Sequence, residues 1–209
     1  MTQPYHHGAL RQALLDSAEA ILNRDGIDAL TLRAAAREAG VSHAAPAHHF
    51  RDLLGLLTEL AASGFIRFRE RLETEIAAAG PNPNSRLVGL GRGYVGFARA
   101  YPGLFRLMFR SERLNWSSPS LSQAGRAAFA LLNQVDFGHA GQPDLTGPQA
   151  LYLAMTRWSL IHGLSTLVID GRLDGFVDLT EGADAETAIE EVLMRGLCPQ
   201  QLMGSKPAK

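Results

Sequence analysis

The chain is expected to be all-α, on three observations. Apolar residues return every three or four positions through most of its 209 residues, glycines and prolines cut that pattern into helix-length pieces, and no strand pattern or internal repeat interrupts it. With 46% hydrophobic residues there is ample material for a packed core, in one fair-sized domain or in a small domain fused to a larger one.

Leu10, Leu14, Leu15, Ala18, Ile21 and Leu22 form the apolar stripe of a first helix, which Gly26 stops. Thr31 offers an N-cap oxygen to a short helix containing Leu32, Ala35, Ala36 and Ala39. That helix ends at Gly40, the residue type that takes a left-handed C-terminal conformation most readily, and Val41 can plug the turn. Ser42 is the next cap candidate. The helix it would open, His43 to Phe50, is too short and too polar to serve a core, so its outer face must have another use. Pro46 falls near the fourth position of that helix, where its missing N–H forfeits a bond to Ser42 and should bend or tighten the first turn.

Asp52 can cap a much longer helix through Leu53, Leu56, Leu57, Leu60, Phe65, Phe68, Leu72 and Ile76, broken at Gly80, Pro81 and Pro83. Further helices are expected over residues 85–100, 102–110, 119–135, 147–170 and 184–197. Pro102, the Ser-Ser-Pro at 117–119 and the Gly- and Pro-containing stretches 138–143 and 171–175 separate them, and residues 204–209 read as a loose tail.

Twenty Lys and Arg against 21 Asp and Glu leave a formal charge of −1, which excludes a polycation that coats nucleic acid indiscriminately. Any DNA binding must be local. Within residues 1–51, Arg11, Arg24, Arg33, Arg37 and Arg51 are matched by Asp16, Glu19, Asp25, Asp28 and Glu38, so the electrostatic attraction expected there is modest unless histidines protonate. The single Cys198 excludes an intramolecular disulfide framework and suits a reducing compartment. The polar N-terminus has no signal-peptide run, and no stretch approaches the roughly 20 apolar residues of a membrane span, so a cytoplasmic location is expected.

A short helix, a Gly-containing turn and a second short polar helix have the form of a helix-turn-helix, whose second helix presents its N-terminal residues to base edges in the major groove. The segment 30–57, LTLRAAAREAGVSHAAPAHHFRDLLGLL, closely resembles the DNA-binding domain of the TetR family in its Thr-Leu-Arg opening, its Ala-Gly-Val-Ser turn, the pair His49 and Phe50, and Asp52. That resemblance implies a dimeric repressor of double-stranded operator DNA, with Thr31 and Arg33 near phosphates, Ser42, His43, Ala44 and Ala45 facing the groove, and His48 and His49 near the backbone. His43 is then expected to matter more than His48 for sequence choice, because base contacts specify while phosphate contacts position. Family members usually carry an aromatic residue where this chain has Ala47, and a lysine where it has Leu53.

In the second half, Trp158, His162 and Gly163 resemble the Trp-His-Gly signature of one C-terminal domain group in the same family. The apolar helix that holds them, with Ala188, Ile189, Val192, Leu193 and Leu197 of the last helix, suggests a dimeric four-helix interface. Phe97, Tyr101, Phe105, Met108, Phe109, Trp116, Tyr152, Met155 and Trp158 gather aromatic and Met surface where the family places a ligand cavity, although any single one of them reads first as plain core packing. Together they allow an apolar pocket for an unknown small-molecule effector, with His162 as polar handle or as a hydrogen-bonded core histidine. The implied organisation is a DNA-binding domain at 1–51, an effector-binding and dimerisation domain at 52–203 and a flexible tail at 204–209.

Other function classes remain open. Gly91-Arg92-Gly93-Tyr94-Val95-Gly96 matches G-x-G-x-x-G but lacks the preceding strand of a dinucleotide fold, and close helix packing is its structural explanation. His6, His7, His43, His48 and His49 show no metal-ligand spacing with a carboxylate partner, no Gly-x-Ser-x-Gly elbow places a nucleophile, and no pattern calls for a cofactor. A helical dimeric interaction module that ignores DNA, motivated by Ala47 and Leu53, is the remaining alternative.

Overall fold

The computed structural model of the chain describes residues 7–134, 147–177 and 184–198. Among these there is no strand. The helices are α1 (His7–Asp25), α2 (Leu32–Glu38), α3 (Ala45–Phe50), α4 (Leu53–Ala78), α5 (Pro83–Ala100), α6 (Pro102–Met108), α7 (Pro119–Gln134), α8 (Pro148–Ile169), α9 (Asp174–Val177) and α10 (Ala185–Leu197). The breaks expected at 138–143 and the tail expected at 204–209 lie outside the described residues. α9 was not foreseen, since four residues carry no periodicity to read. No helix among the described residues is long and apolar enough to cross a membrane.

The caps explain most boundaries. Asp52 Oδ1 accepts the Gly55 N–H at 2.8 Å to open α4, and Asn82 Oδ1 accepts the Ser85 N–H at 3.1 Å ahead of Pro83, the first residue of α5. Asp184 Oδ1 accepts the Thr187 N–H at 2.7 Å to open α10, and that bond holds the Asp184 carboxyl below its ordinary range.

Contacts divide the chain into two compact units. The first combines Met1–Arg67 with Tyr101–Ala128. Here α1 packs on α2, α3 and α6, burying Leu14, Leu15, Ala18, Ile21 and Leu22, while Leu30, Ala35, Ala36, Phe50, Leu56 and Leu60 are buried in the same unit. Alanine at positions 35 and 36 lets α2 lie close. The Thr58 hydroxyl donates to the Leu54 carbonyl at 2.7 Å and accepts the Asn115 N–H at 3.1 Å, so this buried group is satisfied twice. Glu59 takes hydrogen bonds from both Arg11 on α1 and Ser120 on α7.

The second unit combines Phe68–Ala100 with Phe129–Lys209, and in it α5 packs on α8 and α10. Gly91 explains the close approach of α10: a Cβ there would lie 2.7 Å from Leu193 Cδ2 and 3.2 Å from Leu197 Cδ1.

Candidate nucleic-acid interface

The first unit presents α2, a turn and α3 on the framework of α1. Thr31 Oγ1 accepts the Ala34 N–H at 3.0 Å, the N-cap expected from sequence, and as a hydroxyl it keeps its proton for another acceptor. α2 closes with Gly40 at φ 67°, with the Gly40 N–H bonded to the Arg37 carbonyl at 3.1 Å and the Val41 N–H to the Ala36 carbonyl at 3.0 Å. This is a Schellman closure, and it sets the direction of the chain entering α3.

Two expectations about α3 are corrected. Ser42 does not cap it: its carbonyl accepts the Ala45 N–H at 3.0 Å in a turn, and the helix starts only at Ala45 with Ala44 as a cap that offers no side-chain bond. Pro46 therefore sits in the first turn, where its N–H would have no intrahelical partner to lose, and its ring is buried. The proline starts the helix rather than bending it, and His43 and Ala44 belong to the turn.

The surface this creates is open. Thr31, Arg33, Ser42, His43, Ala44, Ala47 and His48 are exposed, and Ala45 and His49 are half-buried. The His49 ring lies 6.2 Å from that of buried Phe50, which the Arg11 guanidinium covers at 5.6 Å. The charge balance read from sequence is redistributed in space. Arg24 bonds both Asp25 and Glu38, which raises its own pKa and lowers that of Glu38. Glu19 pairs with Arg67 at 2.6 Å and Asp28 with Arg113 at 3.5 Å. Among the described residues, no ion pair takes up Arg33, Arg37 or Arg51, all of which are exposed.

The junction to α4 is the residue pattern that sequence reasoning missed. Arg51 adopts φ 64° and ψ −54°, and the Asp52 N–H reaches the Phe50 carbonyl at 2.7 Å across it. This is a γ-turn of the rare positive-φ kind, which for a residue with a side chain costs about 1–3 kcal/mol. Gly55 is required beside it, because a Cβ there would stand 2.0 Å from the Phe50 carbonyl oxygen.

The aromatic and Met residues considered for a ligand fall into both units. In the first, Phe105 and Phe109 lie 5.0 Å apart, Phe65 meets Phe109 and Trp116 edge-on at 5.7 Å each, and Met108 Sδ packs over Gly64. In the second, Phe97 packs on Phe68, and Trp158 and His162 converge on Tyr94, while Tyr152 and Met155 stand exposed on α8 at 65% and 52%. Tyr94 is fully buried. Its oxygen accepts the Trp158 indole N–H at 3.0 Å and is hydrogen-bonded to His162 Nδ1 at 2.9 Å, the direction of that second bond following the histidine tautomer. Burial pushes the His162 pKa down, in keeping with a neutral ring, and the Tyr94 phenol up. An open groove of about 850 Å³ in the same unit is lined by charge instead, with Arg71, Arg92 and Arg99 all paired to Glu75, Glu190 or Glu186.

The G-x-G-x-x-G run lies inside α5, where Gly89, Gly91 and Gly93 face close neighbours at 2.7–3.2 Å from a notional Cβ, so helix packing accounts for it. Among the described residues no group of three or more His, Cys, Asp or Glu could hold a metal ion.

Comparison with known proteins matches these two regions separately. Residues 14–60 match the family described as "Bacterial regulatory proteins, tetR family", and residues 87–192 match "Tetracyclin repressor-like, C-terminal domain". An uncharacterized HTH-type transcriptional regulator of Mycobacterium tuberculosis is 26% identical over 166 residues, spanning 78% of this chain and 72% of the relative. A solved structure of a protein of unknown function from Rhodococcus sp. RHA1 is 38% identical with a TM-score of 0.73, covering 92% of this chain and 93% of its own. A TetR family transcription regulator from Marinobacter aquaeolei VT8 shares the fold at a TM-score of 0.64 and 19% identity, over 90% of this chain and 95% of its own.

Proposed function

Since the chain belongs to the tetR family of bacterial regulatory proteins, and is therefore a DNA-binding transcriptional regulator, we propose that it is a cytoplasmic repressor released from a palindromic operator by a small apolar or amphipathic ligand. The observation that carries the DNA-binding half is the exposed turn and helix from Ser42 to His49; the exposed Arg33, Arg37 and Arg51 of the same helix-turn-helix and its junction enter no ion pair among the described residues. Ser42, His43, Ala44 and Ala45 read base edges in this proposal, and Thr31, Arg33, His48 and His49 hold phosphates. The functional division runs at about residue 51, with DNA binding before it and effector binding and dimerisation after it.

Regulators of this family bind operator DNA, respond to small molecules and form dimers. For this chain the dimer surface is assigned to α8 and α10, whose Leu151, Tyr152, Met155, Leu167, Val192 and Met194 are exposed large apolar residues. A two-fold pair then reads half-sites separated by about 34 Å or a multiple of it. Effector contacts are assigned to Phe105, Met108, Phe109 and Trp116 within the first unit and, separately, to Phe97, Tyr152, Met155, Trp158 and His162 within the second. The ligand acts by favouring a dimer whose recognition helices are wrongly spaced, at a coupling of about 1–3 kcal/mol.

Fluorescence anisotropy with a duplex from upstream of the protein's own gene, beside a scrambled duplex and across a salt series, tests this reading. Preference for the upstream duplex that persists near physiological salt is the expected result. Equal binding to both at every salt concentration would remove the repressor reading and leave a helical interaction module.

A further inference from the structure

We propose that Arg51 is a phosphate clamp on the operator, held at the end of the recognition helix by the strained γ-turn; this rests on the DNA-binding reading above. The turn itself does not call for an arginine. At φ 64° and ψ −54° glycine is the residue that fits without strain, and Arg51 is the one residue other than glycine with positive φ among those described. The strain is built in. The Phe50 carbonyl is fixed on one side by the Asp52 N–H at 2.7 Å and on the other by the Gly55 backbone, which leaves no room even for a Cβ. A costly residue kept in an overdetermined conformation points to a use for its side chain.

The surroundings say which use. Arg51 is exposed, and no ion pair or hydrogen bond engages its side chain among the described residues. The one carboxylate next to it in sequence, Asp52, is spent on the Gly55 N–H at the start of α4. The six residues of α3 rise about 9 Å, comparable to the roughly 12 Å width of the major groove. With the turn at His43 and Ala44 facing the bases, a long cation at the far end of α3 falls on the wall of the groove, where the phosphates are. A guanidinium there is matched to phosphate oxygens.

Three variants separate charge from turn. Arg51→Lys keeps both, Arg51→Gln keeps the strain without the charge, and Arg51→Gly loses the charge and relaxes the turn. Each is read by thermal melting and by the salt dependence of binding to the upstream and scrambled duplexes. Expected are a slope of log K against log[salt] flattened by about 0.9 per protomer in Arg51→Gln and Arg51→Gly alike. The loss should be the same for both duplexes, the slope near wild type in Arg51→Lys, and the melting temperature of Arg51→Gly higher by about 2–4 °C. A wild-type slope in Arg51→Gln overturns the clamp, as does a loss confined to Arg51→Gly, which would make the turn and not the charge the determinant. Failure of the DNA-binding reading is distinct, since the wild-type protein itself would then show no preference between duplexes.

Discussion

At the scale of single residues, the backbone between α3 and α4 is where small groups decide most. Gly55 can be replaced by nothing larger without moving the Phe50 carbonyl, because the added Cβ would sit 2.0 Å from its oxygen. Gly55→Ala is expected to lose about 1–3 kcal/mol of stability in urea unfolding, the range of an overpacked site. An alanine variant as stable as wild type would mean that the junction can open, and the strain at Arg51 would lose its support. Neither residue stood out in sequence: Arg-Asp after Phe50 reads as an ordinary helix boundary, and a glycine in the first turn of α4 reads as a mild propensity defect. Thr31, Gly40 and Asp52 did stand out, because a cap acts through residues three or four positions away and is therefore written in a short window.

At the scale of helices, the pairing of α5 with α8 is organised by one phenol. The Tyr94 oxygen bonds both the Trp158 indole N–H and His162 Nδ1, so Tyr94→Phe removes both of these bonds from the helix pair. A loss of about 1–3 kcal/mol is expected, measured by denaturant unfolding. The same network makes a pH prediction. Burial depresses the His162 pKa in the folded state, whereas the unfolded ring titrates near 6.5, so the unfolded state binds the proton first as pH falls. Stability from this residue is complete above about pH 6.5 and is lost below it, down to the pH at which the folded ring protonates. Unfolding curves of wild type and His162→Asn between pH 8 and roughly 5 check this, since asparagine can hydrogen-bond Tyr94 but does not titrate. Parallel curves would sink it. Resemblance to the Trp-His-Gly signature grouped Trp158 with His162, but Tyr94 entered only as a letter in a glycine-rich motif.

At the scale of the whole molecule, the exposed apolar residues of α8 and α10 are the strongest mark of a partner. Leu151 and Met155 are one turn apart on α8 and more than half exposed, where a monomer would carry polar groups. The double variant Leu151→Glu, Met155→Glu is expected to sediment as a folded monomer and to lose most of its operator affinity, because a two-fold site then sees one reading head. Unchanged sedimentation of that variant would move the dimer surface elsewhere. The charge of −1 gives no hint of a DNA-binding face, and the balance within residues 1–51 hides it further. In the structure Arg24 engages two carboxylates and Arg67 and Arg113 two more, which leaves Arg33, Arg37 and Arg51 outside those pairs and available for the proposed contacts to DNA.

The helical class, the order of elements from α1 to α8, the helix-turn-helix and the caps at Thr31 and Asp52 could all be read from the chain, because each depends on neighbours within a turn or two of helix. The start of α3 was misread for a local reason: Ser42 and Pro46 each have two uses at a helix beginning, and only the folded turn selects between them. What the tertiary structure decided lies between residues far apart in the chain. Tyr94 meets His162 across 68 positions, Arg11 meets Glu59 across 48, and Gly91 admits Leu193 from another helix. Periodicity reports which face of a helix is apolar, but it carries no record of which other face it meets, and hydrogen bonds, ion pairs and close approaches are set there.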